Sequence, residues 1–202
     1  MATRSSTIAA DEPDVTAQLA ALCASGGRVT RLAQDGAQIH EIPAQLEGLP
    51  DGATHLVISV GGNDLLGQTS LLYGRVETVA EAMLLIAHAV ANFRADYEQM
   101  LGTAIATGLP IVVCTIYNPA EVDDEERTIS KTSIALFNDA IIQVAGSHAI
   151  PVIDLRAVCD DWEDFANPIE PSAIGGEKIA VAFYQVMTAH SFEGSHTVIY
   201  RD

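Results

Sequence analysis

Four consecutive residues, Gly61-Gly62-Asn63-Asp64, combine backbone freedom with a side-chain amide and a carboxylate. Glycine lets backbone N–H groups come close to a bound molecule. An asparagine amide beside them can donate hydrogen bonds to an oxygen that gains negative charge. Asp64 can cap the next turn or orient the loop. An ordinary strand-to-helix turn favours the same residue types, so these four residues alone leave both interpretations open.

The elements that must position this motif alternate between strands and helices. Near-continuous apolar, β-rich runs predict strands that are buried on both faces, and apolar residues at helical spacing predict helices. Such buried strands are predicted at 54–60, 111–116 and 151–155, and further short strands at 28–33 and 196–200. The predicted helices are 14–23, 42–46, 78–107, 133–147 and a last one from Gly175 or Gly176 to 189. This alternation favours an α/β fold, a three-layer α/β/α sandwich with a parallel sheet.

Binding sites of parallel sheets form beyond the carboxyl ends of the strands. The loops at that edge are 34–36, 61–64, 117–119 and 167–172. We interpret residues 1–12 as a flexible N-terminal arm and residues 13–202 as a single domain. The segment 123–126 is read as an acidic surface patch.

Composition excludes several classes of partner. The chain has 10 Lys and Arg against 27 Asp and Glu, a formal net charge of −17. Such a surface repels phosphate backbones and anionic lipids, so neither nucleic acid nor a membrane is expected as a partner. No apolar run approaches the ~20 residues of a membrane span. Three widely spaced cysteines, with no leader-like N-terminus, favour reduced thiols in the cytoplasm, and a buried, inert Cys114 is expected.

Other catalytic patterns are missing. The six histidines show no metal-ligand spacing, and neither a phosphate-binding glycine loop nor the Gly-x-Ser-x-Gly elbow occurs. Ser59 lies within a predicted strand and Ser172 before a predicted helix. His40 follows Gly36 closely enough to reach the same edge of the sheet. We expect no metal and no cofactor.

The motif and its surroundings resemble the SGNH (GDSL-type) hydrolases over residues 13 to 190. Gly61, Asn63 and Asp64 match the family's Gly-x-Asn-Asp block, with Gly62 between them. The resemblance makes the backbone of Gly36, after the second strand, a further oxyanion donor. The family's last block, Asp-x-x-His-Pro-Ser before a glycine, corresponds to 167–172. Stretches that also look like the family's strand ends and helix are 115–119, 137–139 and 154–156.

The chain departs from the family at its nucleophile. The family's serine stands in a Gly-Asp-Ser motif after its first strand, which no part of this chain contains. Residues 1–12 hold no run suited to that strand, and of their two serines, Ser5 and Ser6, we take Ser6 as the candidate. An empty central strand position would leave buried backbone groups unpaired. Three explanations stay open: a natural protein that begins upstream, insertion of 196–200 into the sheet, or pairing with another subunit.

The last block departs at its catalytic pair. Asn167 stands where the family has Asp, and Glu170 stands where it has His. A glutamate of ordinary pKa, about 4.3, is a poor base for a serine hydroxyl unless burial raises that pKa. Alternatively, Glu170 is an N-terminal helix residue favoured by the helix dipole.

The resemblance implies an ester hydrolase of the SGNH, flavodoxin-like type that acts on carboxylic esters of a small substrate. Its site would comprise Ser6, Gly36, Asn63 and Glu170, supported by Gly61, Gly62, Asp64 and Asn167. A homo-oligomer is an open option. The alternatives are an inactive module of the same fold that binds a small ligand or protein, and an unrelated flavodoxin-like binding domain.

Overall fold

The computed structural model describes residues 13–23, 26–120 and 123–201. Its helices are α1 (Val15–Leu22), α2 (Ile42–Leu46), α3 (Gly62–Gly67), α4 (Thr69–Leu72), α5 (Val79–Ile105), α6 (Asp124–Ser147), α7 (Leu155–Val158) and α8 (Ala173–Ala189). Its strands are β1 (Leu56–Ile58), β2 (Ile111–Cys114), β3 (Val152–Ile153), β4 (Phe165–Asn167), β5 (Glu170–Pro171) and β6 (Ile199–Tyr200). Single 3₁₀ turns occur at Ile39–Glu41 and Trp162–Asp164.

The main sheet is parallel, in the order β1-β2-β3-β6. A separate antiparallel pair, β4 and β5, forms a hairpin just before α8. The three apolar runs at 54–60, 111–116 and 151–155 each contain an observed strand, as predicted. The strands are shorter than the runs: after β1 and β2 the chain turns into loops, and after β3 it enters α7, which Asp154 caps.

The two faces of β2 pack into two separate cores. Ile111 and Val113 lie in the core that α5 and α6 cover. Val112 and Cys114 lie in the core that α1 and α8 cover. Since successive side chains of a strand point to opposite faces, this division places helices on both sides of one sheet. The three-layer α/β/α architecture is confirmed.

Helix α6 begins nine residues before the predicted start at 133. The Asp123 carboxylate accepts hydrogen bonds from the backbone N–H groups of Glu125 and Glu126, which satisfies two free donors of the first turn. The acidic residues 124–126 are also favoured at a helix N-terminus. The predicted acidic patch is therefore the exposed, capped first turn of α6. Helix α8 likewise starts earlier than predicted, at Ala173, because Ser172 caps it.

One strand prediction was wrong, and one of the three explanations for the missing strand is excluded. Residues 28–33 form no strand, because no described neighbour offers them a ladder of hydrogen bonds, and β1 is an edge of the described sheet. The C-terminal segment does form a strand, but β6 pairs with β3 at the edge opposite β1. Insertion of 196–200 beside β1 is therefore excluded. The predicted flexible arm, 1–12, lies outside the described residues.

Over the described ranges, none of the helices combines the length and apolar character that crossing a bilayer requires.

Candidate active site

Hydrogen bonds join the loop that follows Gly36 to the GGND segment. The Asn63 side-chain amide donates from Nδ2 to the carbonyl oxygen of Ala37, 3.0 Å away. The Gln38 amide donates to the carbonyl oxygen of Asn63 at 3.3 Å. The backbone N–H of Ile39 points at both carboxylate oxygens of Asp64, at 3.2 and 3.3 Å. The two loops that the sequence places at one sheet edge therefore form one connected unit.

Gly61 is required by its conformation and by its neighbours. Its φ of +120° belongs to the region that side chains other than glycine rarely adopt. A Cβ there would lie 3.0 Å from Cζ of Phe93 and 3.3 Å from Cδ1 of Ile116. Gly62, the first residue of α3, has only Cγ2 of Ile116 within 4 Å, at 3.9 Å. The first glycine of the motif is thus a structural necessity and the second is sterically open.

Asp64 supports the loop through its hydrogen bonds and does not line the cavity that these loops enclose. Partial burial raises the pKa of this carboxyl, against the hydrogen bond from the Ile39 N–H that lowers it. The prediction that Asp64 orients the loop agrees with this bond.

A hairpin made of β4 and β5 holds Glu170 opposite GGND. Asn167 donates from Nδ2 to Oε2 of Glu170 at 2.5 Å, and its Oδ1 accepts the N–H of Ile169 at 3.0 Å. The hydroxyl of Tyr117, at the end of β2, donates to the carbonyl oxygen of Ile169 at 2.6 Å. Glu170 lies in β5, before the Ser172 cap of α8, and not in the first turn of that helix.

Tyr117 is largely desolvated at this position. Burial, with smaller contributions from the nearby Cys159 and Glu170, raises the pKa of its hydroxyl to about 12. The phenol therefore stays protonated at neutral pH and remains a hydrogen-bond donor to the hairpin.

A cavity of about 650 Å³ lies between these loops. Its polar wall includes Gln34, Asp35, Ser59, Asn63, Thr115, Tyr117 and Glu170. Its apolar wall comes from α3, α4, α5 and α6 and includes Leu65, Leu66, Leu71, Leu72, Ile86, Ile129, Ile134 and Phe137. Asn63 and Glu170 thus meet at one cavity. Gly36 itself is not on the wall, although Asp35 and Ala37 beside it are.

The structure brings no histidine to this cavity. The six histidines all fall within the described ranges, and none is on its wall, including His40, which is exposed on the turn Ile39–Glu41. His148 pairs with Glu98 at 2.6 Å, and His190 pairs with the Tyr200 hydroxyl at 2.8 Å. The candidate nucleophile Ser6 lies outside the described residues. Within the described ranges, no group of three or more His, Cys, Asp or Glu side chains is arranged to hold a metal ion.

Asn138, on α6, lies in the family-like stretch 137–139 and supports the cavity through contacts that the sequence did not predict. Its fully buried side chain accepts the N–H of Ile116 and donates to the carbonyl oxygen of the same residue, both at 2.7 Å. These two hydrogen bonds fix the segment after β2 from which Tyr117 projects. The available signal was an asparagine beside Phe137 on an otherwise apolar helix face.

A buried polar group also supports the ends of β2 and β3. Thr115 donates its hydroxyl proton to Asp154 at 3.0 Å, and the guanidinium of Arg156 binds both oxygens of Asp154 at 2.7 and 2.9 Å. Burial by itself would raise the pKa of Asp154, but the hydrogen bonds and charge of Arg156 hold that pKa below its usual value.

Three solved structures share this fold at low sequence identity. An extracellular lipase from Streptomyces rimosus matches with a TM-score of 0.61 and 18% identity, over 86% of each chain. A phospholipase A1 from Streptomyces albidoflavus NA297 matches with a TM-score of 0.62 and 17% identity, over 88% of this chain and 86% of the other. A lipase from a goat rumen metagenome matches with a TM-score of 0.66 and 20% identity, over 90% of each chain.

Comparison with curated protein sequences finds no match. The family model for the GDSL-like lipase/acylhydrolase family matches residues 5–176, which is most of the chain and contains every loop of the cavity. The chain therefore belongs to the GDSL-like lipase/acylhydrolase family and is an ester hydrolase of the SGNH type.

Proposed function

We propose that this protein hydrolyses the carboxylic ester of a small substrate in the 650 Å³ cavity, with Asn63 stabilising the oxyanion. The single observation that carries the proposal is the position of Asn63. Its amide is at the carboxyl end of β1, on the cavity wall, and is tethered by Ala37. A donor that is fixed before the reaction stabilises developing charge without the cost of reorientation.

The hydrogen-bonding capacity of Asn63 fits this role. Its amide nitrogen carries two hydrogens, and the described contacts use one of them, at Ala37. The other remains for a substrate oxygen. In this proposal the backbone N–H of Gly36, in the turn beside Ala37, is the second donor.

Glu170 is the proposed base. Asn167 occupies its Oε2, which leaves Oε1 to accept a proton. Ser6 is the proposed nucleophile: its hydroxyl proton passes to Glu170 as its oxygen attacks the ester carbon. The resulting oxyanion collapses to an acyl-enzyme, the alcohol leaves with the proton, and water hydrolyses the acyl group by the same two steps.

The cavity favours an uncharged substrate of modest size. Its volume lies within the range of roughly 300–1,000 Å³ that is typical of small-molecule sites. Its leucine- and isoleucine-rich wall suits an apolar acyl or alkyl group, and the net charge of −17 disfavours an anionic one.

We also propose a cytoplasmic location. Cys23, Cys114 and Cys159 are all free thiols, and Cys114 and Cys159 are buried in the core beneath α8, the state that a reducing compartment maintains. Burial raises the pKa of the Cys114 thiol, so this thiol is unreactive, as the sequence predicted.

The test is the hydrolysis of p-nitrophenyl butyrate by the purified protein and three variants, Asn63→Ala, Glu170→Gln and Ser6→Ala. Loss of an oxyanion donor should lower kcat by about 10²–10³ for Asn63→Ala. Each variant has a matched control: Asn92→Ala and Glu177→Gln on exposed helix positions, and Ser5→Ala beside the nucleophile.

The outcomes test catalysis by this chain and the assignment of its site residues separately. A wild-type rate no higher than the uncatalysed rate would overturn catalysis by this chain. A clear wild-type rate that all three substitutions leave unchanged would overturn the residue assignments while the fold stands.

A further inference from the structure

A second, smaller cavity of about 340 Å³ lies next to the ester cavity, and Pro119 lines both. We call it the α6–α7 pocket, because its wall includes residues of those two helices and of the 3₁₀ turn Trp162–Asp164. Neither Asn63 nor Glu170 lines it. Its volume is at the lower end of the range of roughly 300–1,000 Å³ that is typical of small-molecule sites.

Basic side chains gather at this pocket in an otherwise acidic chain. Arg127 and Lys131 of α6 and Arg156 of α7 line it, which is three of the ten basic residues against 27 acidic ones in the whole sequence. Only two carboxylates, those of Asp160 and Asp161, lie on the same wall. The balance of charge is thus reversed at the pocket, and a concave wall of one sign attracts ligands of the other.

The two carboxylates on the wall already have partners. Asp160 lies 3.7 Å from Nζ of Lys178. The carboxylate of Asp161 accepts the backbone N–H of Glu163 at 3.3 Å and caps the 3₁₀ turn. Their charges are therefore partly compensated from outside the pocket.

Two of the three basic side chains can bind a further group. Lys131 is exposed, and no carboxylate of the described residues lies within 4 Å of its ammonium. Arg156 uses Nε and Nη2 to hold Asp154, at 2.7 and 2.9 Å, which fixes the plane of its guanidinium. Its Nη1 takes no part in these two bonds and keeps two hydrogens for a ligand.

An aromatic ring completes the wall. The side chain of Trp162 is 72% exposed although it borders the pocket, and the half-buried Phe165 lies beside it. Tryptophan offers a large, flat apolar face at a small cost in side-chain entropy, so an exposed indole on a pocket wall suits stacking with a planar group.

We propose that the α6–α7 pocket binds a small aryl carboxylate, with the carboxylate on Lys131 and Arg156 and the ring on Trp162. A planar carboxylate matches the geometry of a guanidinium. A single negative charge also suits the site better than the double charge of a phosphate, because Asp160 and Asp161 lie on the wall and the chain as a whole carries −17.

Fluorescence titration of the purified full chain tests the proposal, because Trp162 is the one tryptophan of the sequence. The probes are benzoate, its uncharged counterpart benzyl alcohol, and acetate, an anion without a ring. We expect benzoate to change the emission saturably, with a dissociation constant of about 0.1–1 mM. Benzyl alcohol and acetate should bind at least ~10-fold more weakly. Isothermal titration calorimetry repeats the measurement without relying on the indole.

Four variants locate the binding. Lys131→Gln should weaken benzoate binding at least ~5-fold, and Trp162→Ala, followed by calorimetry, by a similar factor. Asp160→Asn removes a negative charge from the wall and should strengthen binding about threefold. Arg94→Gln is the matched control, since Arg94 is an exposed basic residue of α5 outside the pocket, and binding should stay unchanged.

Weaker binding in Lys131→Gln and Trp162→Ala, with the control unchanged, supports the proposal. Equal affinity for benzoate and benzyl alcohol would overturn it, because the basic residues would then play no part. So would unchanged affinity in both Lys131→Gln and Trp162→Ala, an equal loss in Arg94→Gln, or no binding of benzoate up to about 10 mM. None of these readouts needs ester hydrolysis, so the pocket and the proposed function can fail independently.

Discussion

Replacing Gly175 by alanine should separate α8 from the turn that precedes the Glu170 hairpin. A Cβ at Gly175 would lie 2.1 Å from the carbonyl oxygen of Asp164 and 3.0 Å from its carbonyl carbon. These are backbone atoms, so neither can rotate away. Asp164 is fully buried and bound to Lys178 at 2.8 Å, which further restricts its movement. The helix and the turn must therefore move apart.

The adjacent glycine provides the control. A Cβ at Gly176 would meet Nε2 of Gln18 at 3.3 Å, the end of a flexible side chain, and then Cγ2 of Val15 at 3.6 Å. Alanine gains roughly 0.5–1 kcal/mol over glycine within a helix at both positions. Overpacking costs about 1–3 kcal/mol or more. We therefore expect Gly175→Ala to lose about 2 kcal/mol and Gly176→Ala to stay within about 0.5 kcal/mol of the wild type.

Thermal unfolding measures the difference. For a domain of this size, 1 kcal/mol corresponds to about 2–4 °C, so Gly175→Ala should lower Tm by about 4–8 °C. Trp162, the one tryptophan of the chain, lies in the affected turn, so its fluorescence should report the displacement alongside far-UV circular dichroism. A Tm for Gly175→Ala equal to that of Gly176→Ala would refute the steric reasoning.

Three further substitutions test the supports of the site. Gly61→Ala forces alanine into a φ of +120° against Phe93 and should cost about 1–3 kcal/mol in a urea titration; an unchanged midpoint would contradict the strain. Asn138→Ala leaves the N–H and carbonyl of Ile116 without their side-chain partner and should cost about 2–5 kcal/mol by the same measurement, whereas a loss below ~1 kcal/mol would show that water replaces the amide. Asp154 has a folded-state pKa below its unfolded value, so its stabilising effect is complete above about pH 4 and disappears as the pH falls through the folded pKa. Asp154→Asn should therefore destabilise at pH 7 and flatten the acid dependence of the unfolding free energy; parallel pH curves for both proteins would exclude this role.

Local apolar patterns were sufficient to predict the layers of the fold. The strands β2 and β3 are buried on both faces, and such strands are continuous in hydrophobicity. The run that contains β1 is buried on one face, at Leu56, Ile58 and Val60, and is partly exposed on the other. The segment 28–33 mixes apolar residues with two arginines and forms no strand, because a strand also depends on a partner and not on its own residues alone. The first turns of α6 were missed because they are polar and exposed, so that capping, rather than apolar spacing, determines where that helix begins.

The convergence of Asn63 and Glu170 at one cavity followed from the rule that loops gather at the carboxyl ends of parallel strands. The contacts that hold them could not be predicted in this way. Asp64 reaches back 25 residues to Ile39, and Asn138 reaches back 22 residues to Ile116. Such bonds depend on how helices and loops settle on the sheet, which residue spacing does not determine.

The Asn138 contact separates the sheet from the loop that follows it. The amide donates and accepts at one residue, Ile116, as a neighbouring strand would, so a helix side chain terminates the ladder of β2. Residues 118–120 pair with no described strand of the main sheet, and Ala120 instead donates its N–H to the carbonyl oxygen of Pro168 in the Glu170 hairpin. We therefore expect substitutions at Asn118 and Pro119 to leave the pairing of β2 intact and to alter the cavity wall, to which Pro119 contributes.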